Sequence, residues 1–160
     1  MLFALLGCIS LSCVYSNTGQ PKQQRILVLG DSLSSGHGFV VKLGWVNLLR
    51  EKLAKRGLNY SVINASISGD TSGNGVQRLP RLLTRYQPAI VIIELGGNDG
   101  LRGASMQLLQ NNLVKLIKAA QAAGAQVLLL GVRIPPNYGE RYQALLATVY
   151  RDVAKTHGVA

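Results

Sequence analysis

A serine nucleophile is the first chemistry that the sequence suggests. Ser32 lies in the run Gly30-Asp31-Ser32-Leu33-Ser34, directly after the apolar residues 26–29. A turn at the end of a buried strand presents its side chains at the C-terminal edge of the sheet, where open α/β sheets bind ligands. A serine hydroxyl attacks a carbonyl carbon when a nearby base removes its proton. Asp-Ser after a strand is also an ordinary helix N-cap, so this run alone leaves both interpretations open.

Two further loops carry groups that can stabilise an oxyanion, and each loop follows an apolar run, in residues 64–71 and 94–100. Gly69 lets its backbone N–H approach a tetrahedral intermediate closely. The Asn98 side chain supplies an amide donor of the kind found in oxyanion holes. Both residue types are also common in turns. Since the C-terminal ends of parallel strands share one edge, we expect the three loops to converge there.

The three loops, in this order, resemble blocks I, II and III of the GDSL, or SGNH, hydrolases, from about Arg25 to the C-terminus. The sequences of the second and third loops, together with Leu79-Pro80 and Pro135-Pro136-Asn137-Tyr138-Gly139, are similar to those of the bacterial periplasmic arylesterase, thioesterase I and lysophospholipase subgroup. The resemblance implies a serine hydrolase acting on small acyl esters or thioesters, including lysophospholipids, without a cofactor. Ser32 would be the nucleophile, and Gly69, Asn98 and the Ser32 N–H would form the oxyanion hole. We expect a monomer.

The general base is the component that the sequence does not supply. The family carries an Asp-x-x-His block near the C-terminus of the domain, and these residues contain no such block. His37 follows Ser32 by five residues and is expected in an exposed loop, while His157 is expected near the end of a helix. We assign neither as the base. The chain is therefore interpreted as a C-terminally incomplete domain with little hydrolase activity by itself.

The three loops also contain aspartates, Asp31, Asp70 and Asp99, which are candidates for acid–base catalysis or metal binding. Each adjoins a loop glycine or amide, where Asp commonly accepts hydrogen bonds from backbone N–H groups. We favour that structural role. Without a cluster of histidines beside them, no metal site is expected.

Two segments are candidates for an apolar acyl pocket, although both could equally be ordinary connections. Leu101 lies in the glycine-flanked loop 100–103, and Ile134 lies in residues 134–138 after a predicted strand. A non-catalytic acyl-binding module is the alternative function. A phosphate- or nucleotide-binding domain is disfavoured because the sequence has neither Gly-x-Gly-x-x-Gly nor a P-loop lysine.

The elements that position these residues alternate along the chain. Apolar runs predict strands in residues 25–29, 61–64, 89–95 and 126–131, and helical spacing predicts helices in residues 45–56, 76–86, 106–123 and 140–156. Pro80 suits an early turn or a kink of the second helix. The alternation predicts a mostly parallel sheet with helices on both faces. The resemblance implies the three-layer α/β/α sandwich of SGNH hydrolases, which is flavodoxin-like. Val159-Ala160 would begin another strand.

Length and charge restrict the class of protein only broadly. A chain of 160 residues predicts one domain. The net charge of +10 comes from basic residues that are scattered rather than clustered, and aromatic residues are sparse. A solvated surface is therefore favoured over a nucleic-acid site, while attraction to anionic membrane headgroups remains open.

The N-terminal residues indicate export. Residues 1–16 are apolar and too short to span a membrane, which is typical of a signal peptide. Residues 17–24 then form a short polar lead-in to a domain of residues 25–160. The run Leu5-Leu6-Gly7-Cys8 resembles a lipobox, so a lipid anchor on Cys8 is the alternative to a periplasmic or secreted protein. Because Cys8 and Cys13 both lie in this leader, the mature domain would carry no thiol.

Overall fold

Four parallel strands form one sheet in the computed structural model, which describes residues 23–36 and 43–160. The strand order is β2-β1-β3-β4. The strands are β1 (Gln24–Gly30), β2 (Tyr60–Asn64), β3 (Ile90–Glu94) and β4 (Gln126–Leu129). The leader, both cysteines and His37 lie outside the described residues, so the predictions made for them stay predictions.

The helices are α1 (Ser32–Ser35), α2 (Trp45–Lys55), α3 (Ser72–Tyr86), α4 (Gly97–Leu101), α5 (Met106–Ala122) and α6 (Glu140–His157), with a 3₁₀ turn at Pro136–Tyr138. Alternate residues of the central strand β1 enter two separate cores. Ile26 and Val28 pack in the core that includes α2, and Leu27 and Leu29 in the core that includes α3, α5 and α6. Both faces of the sheet are thus covered, which explains why its strands are continuous apolar runs. The predicted three-layer α/β/α fold is confirmed.

Two boundaries differ from the prediction by more than one residue. Helix α3 begins at Ser72, so Pro80 lies inside the helix rather than in its first turn. The sequence Ser72-Gly73-Asn74-Gly75 contains poor helix formers, but Thr71 and Asn74 cap each other reciprocally and hold the first turn. Strand β4 ends at Leu129 instead of residue 131.

Helix α6 runs from the C-terminal edge of the sheet toward the opposite edge. It follows β4, so its first residues lie at the C-terminal edge of the sheet. At its other end, the Gln121 side chain from the last turn of α5 donates a hydrogen bond to His157 O at 3.2 Å. The chain then returns to the free edge of β4, where Leu129 N donates to Ala160 O at 2.7 Å, the position expected for the start of another strand.

Candidate active site

The three predicted loops meet at the C-terminal edge of the sheet. Ser32 is the first residue of α1, directly after β1, and Asn98 lies in α4, after β3. The Asn98 side-chain nitrogen donates to Asp31 Oδ2 at 3.1 Å and to Asp70 O at 2.9 Å. Because Asp31 adjoins Ser32 and Asp70 adjoins Gly69, these two hydrogen bonds bring the three predicted catalytic residues into one group.

The Ser32 hydroxyl is open to a ligand. Asp31 caps the short helix α1, since its Oδ1 accepts a hydrogen bond from Leu33 N at 3.0 Å. Ser32 itself is half-buried and lines a cavity, and its hydroxyl has no hydrogen-bond partner among residues 23–36 and 43–160. A hydroxyl held at a helix start without a partner is suitably placed to react with a molecule in that cavity.

Gly69 has the backbone conformation that its predicted role needs. Its φ of +83° lies in the left-handed region that favours glycine. The turn around it is fixed by a hydrogen bond from Asp70 N to Ile67 O at 3.1 Å and by one from Ile67 N to Gly30 O at 3.0 Å. Within the described part of the chain the Gly69 N–H has no acceptor, so it is available to an oxyanion.

Asp31 lies at the centre of this group, and its electrostatics follow from burial. Burial raises the pKa of the Asp31 carboxyl, and the neighbouring Asp70 and Asp99 carboxylates add to the rise, while the hydrogen bonds from Leu33 N and Asn98 oppose it. The Asn98 amide is held by Asp70 O on one side. Its second hydrogen, now bonded to Asp31, is the one that an oxyanion beside Ser32 would attract.

A buried network that sequence reasoning missed fixes α4 against α3. Asp99 accepts hydrogen bonds from Ser72 N at 2.8 Å and from Ser72 Oγ at 2.5 Å. Ser72 Oγ also accepts a hydrogen bond from the Asn112 side chain of α5 at 3.0 Å. The helix that carries Asn98 is therefore locked to the start of the helix that follows Gly69. The partners are far apart in sequence, so no local pattern reveals them.

A second network lies under α1. Ser34 Oγ donates to Glu94 Oε2 at 2.6 Å and accepts from Trp45 Nε1 at 3.2 Å. Burial raises the pKa of Glu94 to about 7, the charge of Asp31 adds to the rise, and the hydrogen bond from Ser34 opposes it. A Cβ at Gly30 would lie 2.7 Å from Ser34 Oγ and 2.9 Å from Glu94 Oε2, so this position has room only for glycine.

The cavity beside Ser32 has a volume of about 420 Å³ and a mostly apolar wall. Leu101 and Ile134, the residues predicted to contact substrate, both line it, together with Asn98. Sequence reasoning did not identify Leu33, Val132 and Arg133, which also line it. Leu101 is the last residue of α4 and not a loop residue as predicted. An apolar cavity with a few polar groups is typical of a binding site for a small molecule.

The three aspartates have the partners of structural residues. Asp31 caps α1. The Asp70 carboxylate pairs with the Arg78 guanidinium at 2.6 Å, and Asp99 accepts hydrogen bonds from Ser72. A hydrogen bond from a nearby backbone N–H was predicted for all three aspartates, and in the described part of the chain only Asp31 accepts one. Among the described residues, no group of three or more His, Cys, Asp or Glu side chains could hold a metal ion.

His157 is remote from Ser32. It is the last residue of α6, whose first residue lies at the edge that carries Ser32, and a helix of this length extends for about 27 Å.

No helix in the described part of the chain is both long and apolar enough to cross a membrane.

Comparison with known proteins identifies the family. Residues 28–160 match the model of the GDSL-like Lipase/Acylhydrolase family. The chain is 51% identical to Esterase TesA of Pseudomonas aeruginosa over 94% of this chain and 73% of that protein. It is 45% identical to Thioesterase 1/protease 1/lysophospholipase L1 of Escherichia coli K12 over 84% of this chain and 63% of that protein. A crystal structure of TesA superposes with a TM-score of 0.84, at 52% identity, over 86% of this chain and 76% of that chain. The chain therefore belongs to the GDSL-like lipase/acylhydrolase family.

Proposed function

We propose that the protein hydrolyses carboxylic esters or acyl thioesters through an acyl-Ser32 intermediate. The observation that carries this proposal is the Ser32 hydroxyl, which has no hydrogen-bond partner in the described part of the chain, in an apolar cavity that Asn98 also lines. The Asn98 amide is bonded to Asp31 and to the carbonyl of Asp70, the neighbour of Gly69. The names of the relatives, an esterase and a thioesterase with lysophospholipase activity, support the same reaction class.

The reaction has two steps. Ser32 Oγ attacks the carbonyl carbon while a base takes the hydroxyl proton, and the N–H groups of Ser32 and Gly69 and the Asn98 amide hold the oxyanion. The tetrahedral intermediate collapses, the alcohol or thiol leaves with that proton, and the acyl group stays on Ser32. Water then attacks the acyl-enzyme in the same way and releases the carboxylic acid and free serine.

Among residues 23–36 and 43–160 no histidine lies near Ser32, because His157 is at the other end of α6, and the nearby aspartates have structural partners. We infer that the base comes from outside the described residues, as the Asp-x-x-His block of the resembling family implies. The 160-residue chain by itself would then retain only the modest rate that an oxyanion hole and binding supply. An acyl-binding module without turnover is the alternative for this chain alone.

Covalent labelling tests the nucleophile. A fluorophosphonate probe should label a form of the protein extended with the final strand and Asp-x-x-His block of a relative, and should not label its Ser32→Ala variant. Ser68→Ala is the matched control, since Ser68 is an exposed serine of the Gly69 loop, and it should be labelled normally. Equal labelling of Ser32→Ala would refute the assignment.

The same pair of proteins tests the origin of the base. Hydrolysis of a para-nitrophenyl ester should be faster by several orders of magnitude in the extended form than in the 160-residue chain. An ordinary enzymatic rate in the shorter chain, abolished by His157→Ala, would show that His157 is the base. Measurable acyl-chain binding without turnover would instead favour the binding module.

Export to the periplasm or medium, directed by residues 1–16, is a further part of the proposal. It is supported by the apolar leader and the polar residues that follow it. Intact mass of periplasmic material should give an N-terminus near Asn17. A mature chain that still begins at Met1 would contradict export. Lipid on Cys8 would show that the protein is anchored to a membrane instead of free.

A further inference from the structure

Exposed apolar side chains lie at the same edge of the sheet as the Ser32 cavity. We call Leu33, Ile67, Leu101 and Tyr138 the apolar rim; their exposed fractions are 60%, 48%, 43% and 40%. Each of them follows a different strand, in the order β1, β2, β3 and β4, so all four lie at the C-terminal edge of the sheet. Leu33 and Leu101 also line the cavity itself. Apolar side chains gathered at one edge of a soluble domain indicate a contact surface.

Hydrogen bonds hold the rim in place. Ile67 N donates to Gly30 O at 3.0 Å, and the Tyr138 hydroxyl donates to Leu101 O at 3.4 Å. The loops that carry these side chains are thus tied to the end of β1 and to each other. The side chains therefore stay exposed on a fixed backbone instead of folding into the core.

The charges beside the rim are basic. Arg102 and Arg133 are exposed at this edge, as is Arg141 in the first turn of α6, and none of them has a carboxylate within salt-bridge distance in the described part of the chain. The acidic residues at this edge are Asp31, Asp70, Glu94 and Asp99, which are all buried, and Glu140, which is exposed. The surface around the rim thus presents mainly positive charge to solvent, in a chain of net charge +10.

We propose that the apolar rim and its arginines form a docking surface for anionic lipid bilayers. The apolar side chains would enter the boundary between headgroups and acyl chains, and the arginines would pair with the anionic headgroups. Docking in this orientation turns the opening of the Ser32 cavity toward the lipid, so that an acyl chain can enter without crossing water. This use of the surface rests on the proposed function, but binding to lipid does not depend on it.

Vesicle sedimentation tests the proposal, with the full chain carrying Ser32→Ala so that hydrolysis plays no part. Binding to vesicles of phosphatidylglycerol and phosphatidylcholine should exceed binding to phosphatidylcholine alone by about tenfold, and should fall between about 0.1 M and about 0.5 M NaCl. Ile67→Ser with Tyr138→Ser should weaken binding about tenfold or more, since two apolar anchors are removed. Circular dichroism would establish that each variant is folded.

Matched variants at the opposite edge of the sheet provide the control. Leu58→Ser removes an equally exposed leucine between α2 and β2, and Arg56→Gln with Lys155→Gln removes two charges near the ends of α2 and α6. These changes should leave vesicle binding nearly unchanged, whereas Arg133→Gln with Arg141→Gln should weaken it. Equal losses at both edges, or no preference for anionic vesicles, would overturn the proposal.

A heparin column separates lipid from other polyanions. The Ile67→Ser, Tyr138→Ser protein should elute from heparin at the same salt concentration as its parent, because the apolar rim acts only on lipid. A parallel loss of heparin and vesicle binding would assign the surface to a polyanion instead. In the extended protein that keeps Ser32, normal vesicle binding without esterase activity would leave the docking surface established and refute only the proposed function. Esterase activity without vesicle binding would refute only the docking surface.

Discussion

Glu94 provides a quantitative test of how burial beneath α1 affects stability. The carboxyl group has an ordinary pKa of 4.5, and burial raises this pKa to about 7 in the folded protein. Between these values the folded state holds a proton that the unfolded state has released. Its contribution to the free energy of unfolding is therefore fully present below about pH 4.5 and is lost as the pH rises through about 7. The difference between the two pKa values corresponds to about 3 kcal/mol.

Glu94→Gln removes this titration and keeps an acceptor for the Ser34 hydroxyl. From about pH 4 to about pH 8, the wild-type free energy of unfolding in urea should fall by about 3 kcal/mol more than that of the variant. Some loss should remain in both proteins, because burial also raises the pKa of Asp31. Glu51→Gln is the control, since Glu51 is exposed on α2, and its pH dependence should match the wild type. Parallel wild-type and Glu94→Gln profiles would refute the reasoning.

Two further predictions concern Asn98 and Tyr150. In the extended, active form, Asn98→Ala should lower kcat about 10²–10³-fold, because one oxyanion donor is lost. Asn111→Ala, at an exposed residue of α5, is the control and should leave kcat unchanged. Equal activity of the two variants in an ester assay would exclude the role of Asn98. Tyr150→Phe should lower the free energy of unfolding by about 1–3 kcal/mol, because the buried hydroxyl donates to Leu95 O at 2.7 Å. Tyr138→Phe, at an exposed hydroxyl, should cost less in the same urea titration, and equal costs would contradict the argument.

Local patterns were sufficient for the order of the four strands and the four longer helices and for the candidate residues, but they did not predict the short helices α1 and α4. Strands buried on both faces must be continuous apolar runs, so residues 25–29 and 89–95 could be identified without any knowledge of their partners. Parallel strands end at a common edge, so the loops with Ser32, Gly69 and Asn98 could be expected to meet. The cavity-lining positions of Leu101 and Ile134 follow from the same argument.

The start of α3 and the hydrogen bonds between residues remote in sequence could not be predicted from local patterns. The first turn of α3 has a sequence of poor helix formers, and it is helical because of the reciprocal cap between Thr71 and Asn74 and because of the long-range bonds between Ser72 and Asp99. Local propensity is weak and tertiary contacts override it.

The sequence by itself therefore determined the fold class, the succession of the strands and the longer helices, and which loops carry the candidate site residues, since each depends on residues close together in the chain. Only the tertiary structure decided that the Asn98 amide joins Asp31 to Asp70. It also decided that Glu94 is buried against Ser34. These features depend on distances between residues that are remote in sequence, and such distances exist only after the sheet and its helices have packed.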